Sequence, residues 1–381
     1  MSQPIGVSPS DTVPCGAVLN RILRKAPGHY RFPAGTFLIE ETLRIPSGTR
    51  LTLDPGTLIR LADGAATSAD DYLLTNANPR NGDEHITIEG GIFDGNQAGN
   101  PRPEGLFTEG YTGAMIHFRN VKHLVLKDAT FTNAEAYYSR FTHVHEFHIE
   151  NITFDSEMRR HNNDGIHMGG HCSHGVIRNL RAMTPGVTGD DLVALNADDA
   201  LQRNEVRGMT CGPITDIVIE NLQAHSCHTF VRLLSTVSPI RNITIRSIQG
   251  GCKTAAINAD GARGCRVPVF DEAHPPTPDG IGLLENIFIS GLRVHKMKGD
   301  SSTALIDLQE RLSDFVLEDF SRELDHDLSP EAPSLRLQRV YLTAGSLDGQ
   351  SLPSMGMDEV LEEHQRSIST LRLTTTRKPC S

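Results

Sequence analysis

A chain of 381 residues can hold one large domain or several ordinary ones, and 36 Lys and Arg against 47 Asp and Glu leave it a formal charge of −11. That balance, without a long basic run, argues against nucleic acid or an anionic membrane as partner. No stretch approaches the roughly eighteen apolar residues of a membrane-spanning helix, and 34 Gly with 21 Pro point to turns rather than long helices. The opening residues MSQPIGVSPSD lack the basic and apolar regions of a secretory signal, so a cytoplasmic location is expected, or secretion if a signal has been removed. Seven cysteines, an odd number with no Cys-x-x-Cys pair, predict reduced thiols rather than a disulfide framework or a structural zinc.

Residues 15–26, CGAVLNRILRKA, place Val18, Leu19, Ile22, Leu23 and Ala26 on one helical face and stop at Pro27-Gly28. Turns then follow at Pro33-Ala34-Gly35, Pro46-Ser47-Gly48 and Asp54-Pro55-Gly56, separating short apolar strands. From there a repeat runs through the chain. Segments of alternating apolar residues begin at Ile86, Leu124, Phe147, Gly175, Ile217, Ile243, Ile287, Phe315 and Leu335, with gaps of 38, 23, 28, 42, 26, 44, 28 and 20 residues. The shorter gaps suit one turn of a β-solenoid, and the longer ones a turn with an inserted loop.

This pattern predicts an all-β fold, a single-stranded right-handed parallel β-helix over about 30–345, in one domain spanning 1–381. The helix at 15–26 would cap the open N-terminal end, and residues 346–381, with a helical candidate from Met357 to Ser367, would form a C-terminal cap or tail. Asn151, Asn179, Asn221 and Asn286 are expected at equivalent bends, because Asn tolerates left-handed geometry and can hydrogen-bond along a stack. Insertions near 94–114, 200–213 and 260–280 would wall a surface groove.

The opening strands, with FPAGTFLIEETLRIPSGTRLTLDPGTLI, resemble the pectin-lyase-like β-helix superfamily. Asn162-Asn163-Asp164-Gly165 is similar to the Asn-Thr-Asp-Gly motif of glycoside hydrolase family 28, the polygalacturonase family, and Gly189-Asp190-Asp191 to its Gly-Asp-Asp motif. The 26 residues from Asp164 to Asp190 are about one coil, so the motifs should lie side by side. Cys227-His228-Thr229 keeps only the histidine of the family's Gly-His-Gly. Arg232, on the same strand, and Lys253, one coil on, are the available cations where the family has Arg-Ile-Lys.

The resemblance implies a glycosidase acting with inversion on an α-linked saccharide, with uronic acids among its candidate sugars. It implies Asp190 as general acid and Asp164 and Asp191 as the carboxylates that activate water; His228 would share in proton handling. General chemistry agrees: inversion needs one carboxylic acid at the leaving oxygen and a carboxylate across the bond, and crowded carboxylates raise one another's pKa. Asn162, Asn163, His167, Arg232 and Lys253 are the expected substrate contacts. His167 has odd offset from Asp164 and is expected to turn inward, and Asn196-Ala197-Asp198-Asp199 reads as a polar turn. The chain has no Trp, so Tyr111, Tyr137 and Tyr138 are the candidate sugar platforms. His143-x-His145 resembles a metal-ligand pair but lacks a carboxylate or Cys at matching spacing, so no metal and no cofactor are expected. A saccharide is the only partner indicated, and the sequence is silent on oligomeric state. The same scaffold could instead carry a polysaccharide lyase or a non-catalytic carbohydrate-binding β-helix.

Overall fold

A computed structural model describes residues 2–103, 110–158, 160–199, 208–261, 282–298, 302–356 and 358–376. The chain runs repeatedly through three parallel sheets. The first begins at Gln3–Pro4, His29–Phe32, Arg50–Leu53 and Asp83–Glu89. It then stacks Ile86, Leu124, Phe147, Gly175, Ile217, Ile243, Ile287 and Phe315 in one register column. Those are the residues at which the sequence repeat begins. The second sheet includes Gly35–Ile39, Thr57–Leu61, Ile92–Asp94 and Thr130–Thr132. The third includes Leu43–Ile45, Leu74–Asn76, Ile166–Met168 and Asp191–Asn196. Parallel pairing between successive passes forces the chain to return each time in the same direction, which is a β-helix.

Alternation along each strand turns one set of side chains inward. Ile86, Ile88, Leu124, Leu126, Ile217 and Ile219 are fully buried, and one apolar cluster extends from Ile5 to Leu373. Gly175 interrupts the apolar column for a steric reason: a Cβ there would lie 2.0 Å from the Phe147 ring, which fills the space.

The bends are stitched by side-chain ladders. Asn151 Nδ2 donates to Asp128 Oδ1 at 2.7 Å, Asn179 to Asn151 at 2.8 Å and Asn221 to Asn179 at 2.8 Å. All four residues have φ between 54° and 58°, a region that Asn and Asp enter more easily than other L-residues. Asn286 belongs to a different ladder, in which Asn286 donates to Asn242 and Asn242 to Asp216, each at 2.8 Å. Asn179→Ala removes two ladder bonds and leaves an alanine at φ 57°. It should cost about 1–2 kcal/mol in a denaturant titration, and Asn179→Gly should recover part of that.

Gly16–Lys25 is helical, with Leu19 and Leu23 buried against the first coils, whereas Val18 is exposed. Glu40 accepts hydrogen bonds from the Gly16 and Ala17 amides at 2.7 and 3.0 Å, supplying the N-terminal acceptor that Cys15 does not.

The C-terminal expectation needs two corrections. Leu335 does not continue the Phe315 column. Leu335–Gln338 lies in the third sheet, paired with Ile306–Leu308, because 20 residues carry the chain only part of the way around a coil. Nor is there a helix at Met357–Ser367 among the described residues: Val360–Glu363 pairs antiparallel with Leu335–Gln338, and Ser367–Thr376 with Leu312–Arg322. The last coil would otherwise present open sheet edges, and these strands cover them. Among the described residues no helix is long and apolar enough to cross a membrane.

Candidate active site

The third sheet carries the candidate chemistry on its outer side. Thr75, His117, Arg140, His167, Ala194 and Arg232 form one register column. The flanking positions Ile166, Met168, Val193, Leu195, Val231 and Leu233 fill the coil interior. A polar residue in this column therefore points away from the core, and that holds for His167. The inward expectation counted parity from Asp164, but Asp164 precedes the Ile166–Met168 strand, where strand alternation does not apply.

His167 is held between two carboxylates. Its Nδ1 lies 2.5 Å from Asp164 Oδ2 and its Nε2 2.6 Å from Asp199 Oδ2. Burial alone would lower its pKa, but Asp199 and Asp164 more than offset that and raise it to about 9. The imidazolium donates on both sides, and Tyr137 packs edge-on against it at 4.9 Å. Asp164 keeps a second, buried oxygen, Oδ1, with no hydrogen-bond partner.

One coil further on, Asp190, Asp191 and His228 gather so that one ligand atom from each lies within 4.8 Å of the others. His228 Nδ1 is 3.5 Å from Asp190 Oδ1, and its Nε2 is 2.9 Å from the Thr254 hydroxyl. A bulge makes this possible: between the pairs Cys227–Cys252 and Thr229–Ala255, His228 alone faces both Lys253 and Thr254. Asp190 retains 20% side-chain exposure and Asp191 only 3%. Burial, then the Asp190 charge, push Asp191 well above the usual carboxylate range, against the opposing pull of Arg232. Burial lowers the His228 pKa, with Asp190 opposing, so His228 is neutral near pH 7.

Arg232 was expected to grip substrate. Its guanidinium instead lies 2.9 Å from Asp260 Oδ1 and 4.0 Å from Asp191 Oδ2, which makes it a counter-ion within the acid cluster. Asn163 also differs from expectation. Its amide donates to the Ala134 and Ala136 carbonyls and accepts from the Arg160 amide, so it braces the turn that presents Asp164. Asn162 sits at φ 64° with Arg102 Nη1 3.4 Å from its Oδ1. Lys253 is half-buried beside His228 and helps keep that ring neutral.

Asp260 and Thr254 were not anticipated from the sequence, and Asp199, expected only in a polar turn, reaches His167. The repeated Asn-Ala-Asp at 196–198 and 258–260 was the available signal. Asp198 accepts three backbone amides, from Thr236, Val237 and Ser238, so it organises a turn, while Asp199 reaches the site. Tyr111, Tyr137 and Tyr138 are all buried and cannot serve as sugar platforms. Most of the expected groove walls, at 104–109, 200–207 and 262–281, lie outside the described residues. Asp190, Asp191 and His228 are also the group of side chains, among the described residues, that could hold a metal ion. The high pKa of Asp191 and the nearby Arg232 both work against a cation there.

The family model described as glycosyl hydrolases family 28 matches residues 80–220, less than half of the chain. The match contains Asp164, Asp190 and Asp191 and ends before His228. It supports a hydrolase of the glycosidase class on a polygalacturonase-like parallel β-helix.

Among solved structures, the chain is similar to a family 28 exopolygalacturonase from Yersinia enterocolitica, at 13% identity and TM-score 0.52, over 80% of this chain and 67% of that one. It is similar to a 1,3-α-1,4-β-D-galactose-4-sulfate-3,6-anhydro-D-galactose-2-sulfate 4 galactohydrolase, at 14% identity and TM-score 0.57, over 77% and 71%. It is also similar to the N-terminal fragment of bacteriophage phi29 gene product 12, at 15% identity and TM-score 0.56, over 81% of this chain but only 55% of that one. At such identities these likenesses show the fold. No curated protein sequence matches the chain.

Proposed function

We propose that the protein is an inverting glycosidase for an α-linked saccharide, with Asp190, Asp191, Asp164 and His228 as its catalytic groups. The observation that carries the reading is the Asp190–Asp191–His228 cluster, one coil from an Asp164 held by His167. The acid pair holds a proton to higher pH than an ordinary carboxylate does, because burial and mutual repulsion resist double ionisation. Asp190, the more exposed member, passes that proton to the leaving oxygen. Asp191, with Arg232 compensating its charge, and Asp164, through its unpartnered Oδ1, activate the attacking water. The proton taken from the attacking water leaves to solvent, and neutral His228 relays one back to Asp190 by accepting a solvent proton on one ring nitrogen as it gives up the other. The same reading takes the coil as right-handed and Gly16–Lys25 as the plug of its N-terminal end.

The test is a panel of α-linked oligosaccharides, uronic and neutral, followed by NMR through the first turnover. The expected result is a new reducing end of inverted anomeric configuration, with no unsaturated product. An unsaturated uronate would identify a lyase, and binding without turnover a carbohydrate-binding β-helix.

A further inference from the structure

On the N-terminal side of the acid cluster, the third sheet bears a cavity of about 230 Å³, with Arg44, Asp70, Thr75, His117, Arg119 and Gly208 in its lining. His117 lies three register steps before Ala194, the column position on the Asp191–Asn196 strand. Parallel strands are about 4.8 Å apart, which puts this cavity roughly 14 Å along the sheet from that strand. It is separate from the acid cluster, yet on the same outer surface.

The chemistry of His117 says what the cavity accepts. The residue is 4% exposed. Arg140 Nη2 lies 3.3 Å from its Nδ1, and a guanidinium can only donate, so Nδ1 is the acceptor and the ring proton sits on Nε2. Burial first, then Arg140 and Arg119, hold the ring neutral by lowering its pKa well below 6.5. Nε2 is therefore a buried donor, and it has no hydrogen-bond partner. A buried donor left in that state costs about 1–3 kcal/mol unless something accepts from it.

The surroundings specify the acceptor further. Arg119 is tethered through Nε to the Pro79 carbonyl at 3.2 Å. Gly208 leaves the remaining space open: a Cβ there would come within 3.3 Å of His117 Nε2 and 3.6 Å of Arg119 Nη1. Thr75 fixes the strand beneath by donating to the His117 carbonyl at 2.6 Å. A donor from neutral His117 and the cations Arg119 and Arg44 thus line one small space, two guanidinium groups against the single carboxylate of Asp70. In a chain of net charge −11, an anion needs such a local patch to be held.

We infer that this cavity is a distal saccharide subsite that binds the anionic substituent, a carboxylate or a sulfate, of a sugar residue lying roughly 14 Å along the sheet from the acid-bearing strand. Only the identity of the ligand as a saccharide rests on the glycosidase reading. The charge preference rests on the cavity alone.

Calorimetric titration of the full chain tests it with trigalacturonate, its fully methyl-esterified form and a sulfated galactose disaccharide. Trigalacturonate should bind at least about tenfold more tightly than its ester, as expected for a charge-assisted contact. Arg44→Ala/Arg119→Ala should abolish that preference, and Arg119→Lys alone should retain part of it. Arg44 is exposed on a short strand, so Arg44→Ala by itself is expected to fold normally and to lose part of the preference. Preferential binding of the sulfated sugar would identify sulfate as the substituent recognised. Equal affinity of the charged and neutral probes, or a preference that survives the double variant, overturns the inference. Asp190→Asn should leave the preference intact. A protein that turns over nothing yet keeps it would refute the glycosidase reading and not this one.

Discussion

Asp190→Asn should lower kcat on a true substrate by about 10²–10⁴-fold, the usual worth of general acid catalysis, while leaving the unfolding midpoint nearly unchanged. The amide has no acidic proton for the leaving oxygen, and Asp190 is the member of the pair with access to the groove. The substitution also has an electrostatic signature. The Asp190 charge is the second cause, after burial, of the raised Asp191 pKa. Removing it should let Asp191 titrate lower, so any residual activity should lose the alkaline limb set by the acid pair. Asp191→Asn provides the complementary measurement. If Asp190→Asn keeps activity within about threefold and Asp191→Asn does not, the donor is Asp191 and the roles are exchanged.

Turning the repeat into a fold required little beyond periodicity. The columns at Ile86 through Phe315 are set by alternation and by residues at the bends, both of which are local properties. The exception, Leu335, shows the limit: an alternating segment identifies a strand but not which sheet of the coil it joins. The C-terminal strands were illegible for a related reason. Val360–Glu363 is a strand because the last coil offers it an open edge, and that edge is not encoded near residue 360.

The site divides in the same way. Asp164, Asp190, Asp191 and His228 lie in short motifs one coil apart, so their neighbourhood followed from the spacing. The counter-charges did not. Asp199 is 32 positions from its partner His167, and Asp260 is 28 from Arg232. Nothing in their local sequence separates a surface carboxylate from a buried one. Arg232 was therefore read as a substrate grip when it is already engaged by acids of its own chain, and the cation patch at Arg44 and Arg119 was missed because it forms only when three coils stack.

The Asp164–His167–Asp199 triad should make stability fall as pH rises from about 6.5 to 9. An unfolded histidine titrates near 6.5, whereas His167 in the fold titrates at about 9, so the folded state binds the proton more tightly. Its contribution is fully present below the unfolded value and lost as pH climbs through the folded one. Taken over the whole shift, this is about 3 kcal/mol, large against a typical total stability. Burial also raises Asp191 and Glu310, whose effect on stability runs in the same direction, so the share owed to His167 is the part that its substitution removes. His117 and His228 have lowered values and weaken the fold only toward acid, and the raised thiols of Cys15 and Cys172 act mainly above pH 9. Urea unfolding at pH 6.5 and pH 9 should show the loss in the wild type. His167→Leu should weaken the dependence by about that amount and cost about 3–5 kcal/mol at pH 6.5, because it leaves Asp164 and Asp199 buried without the cation between them. Asp164→Asn/His167→Leu/Asp199→Asn should regain part of that cost while keeping the weakened dependence. A wild-type profile that is level from pH 6.5 to 9 would mean that His167 is neutral in the fold. Asp164 would then lack the charged partner that orients it toward water.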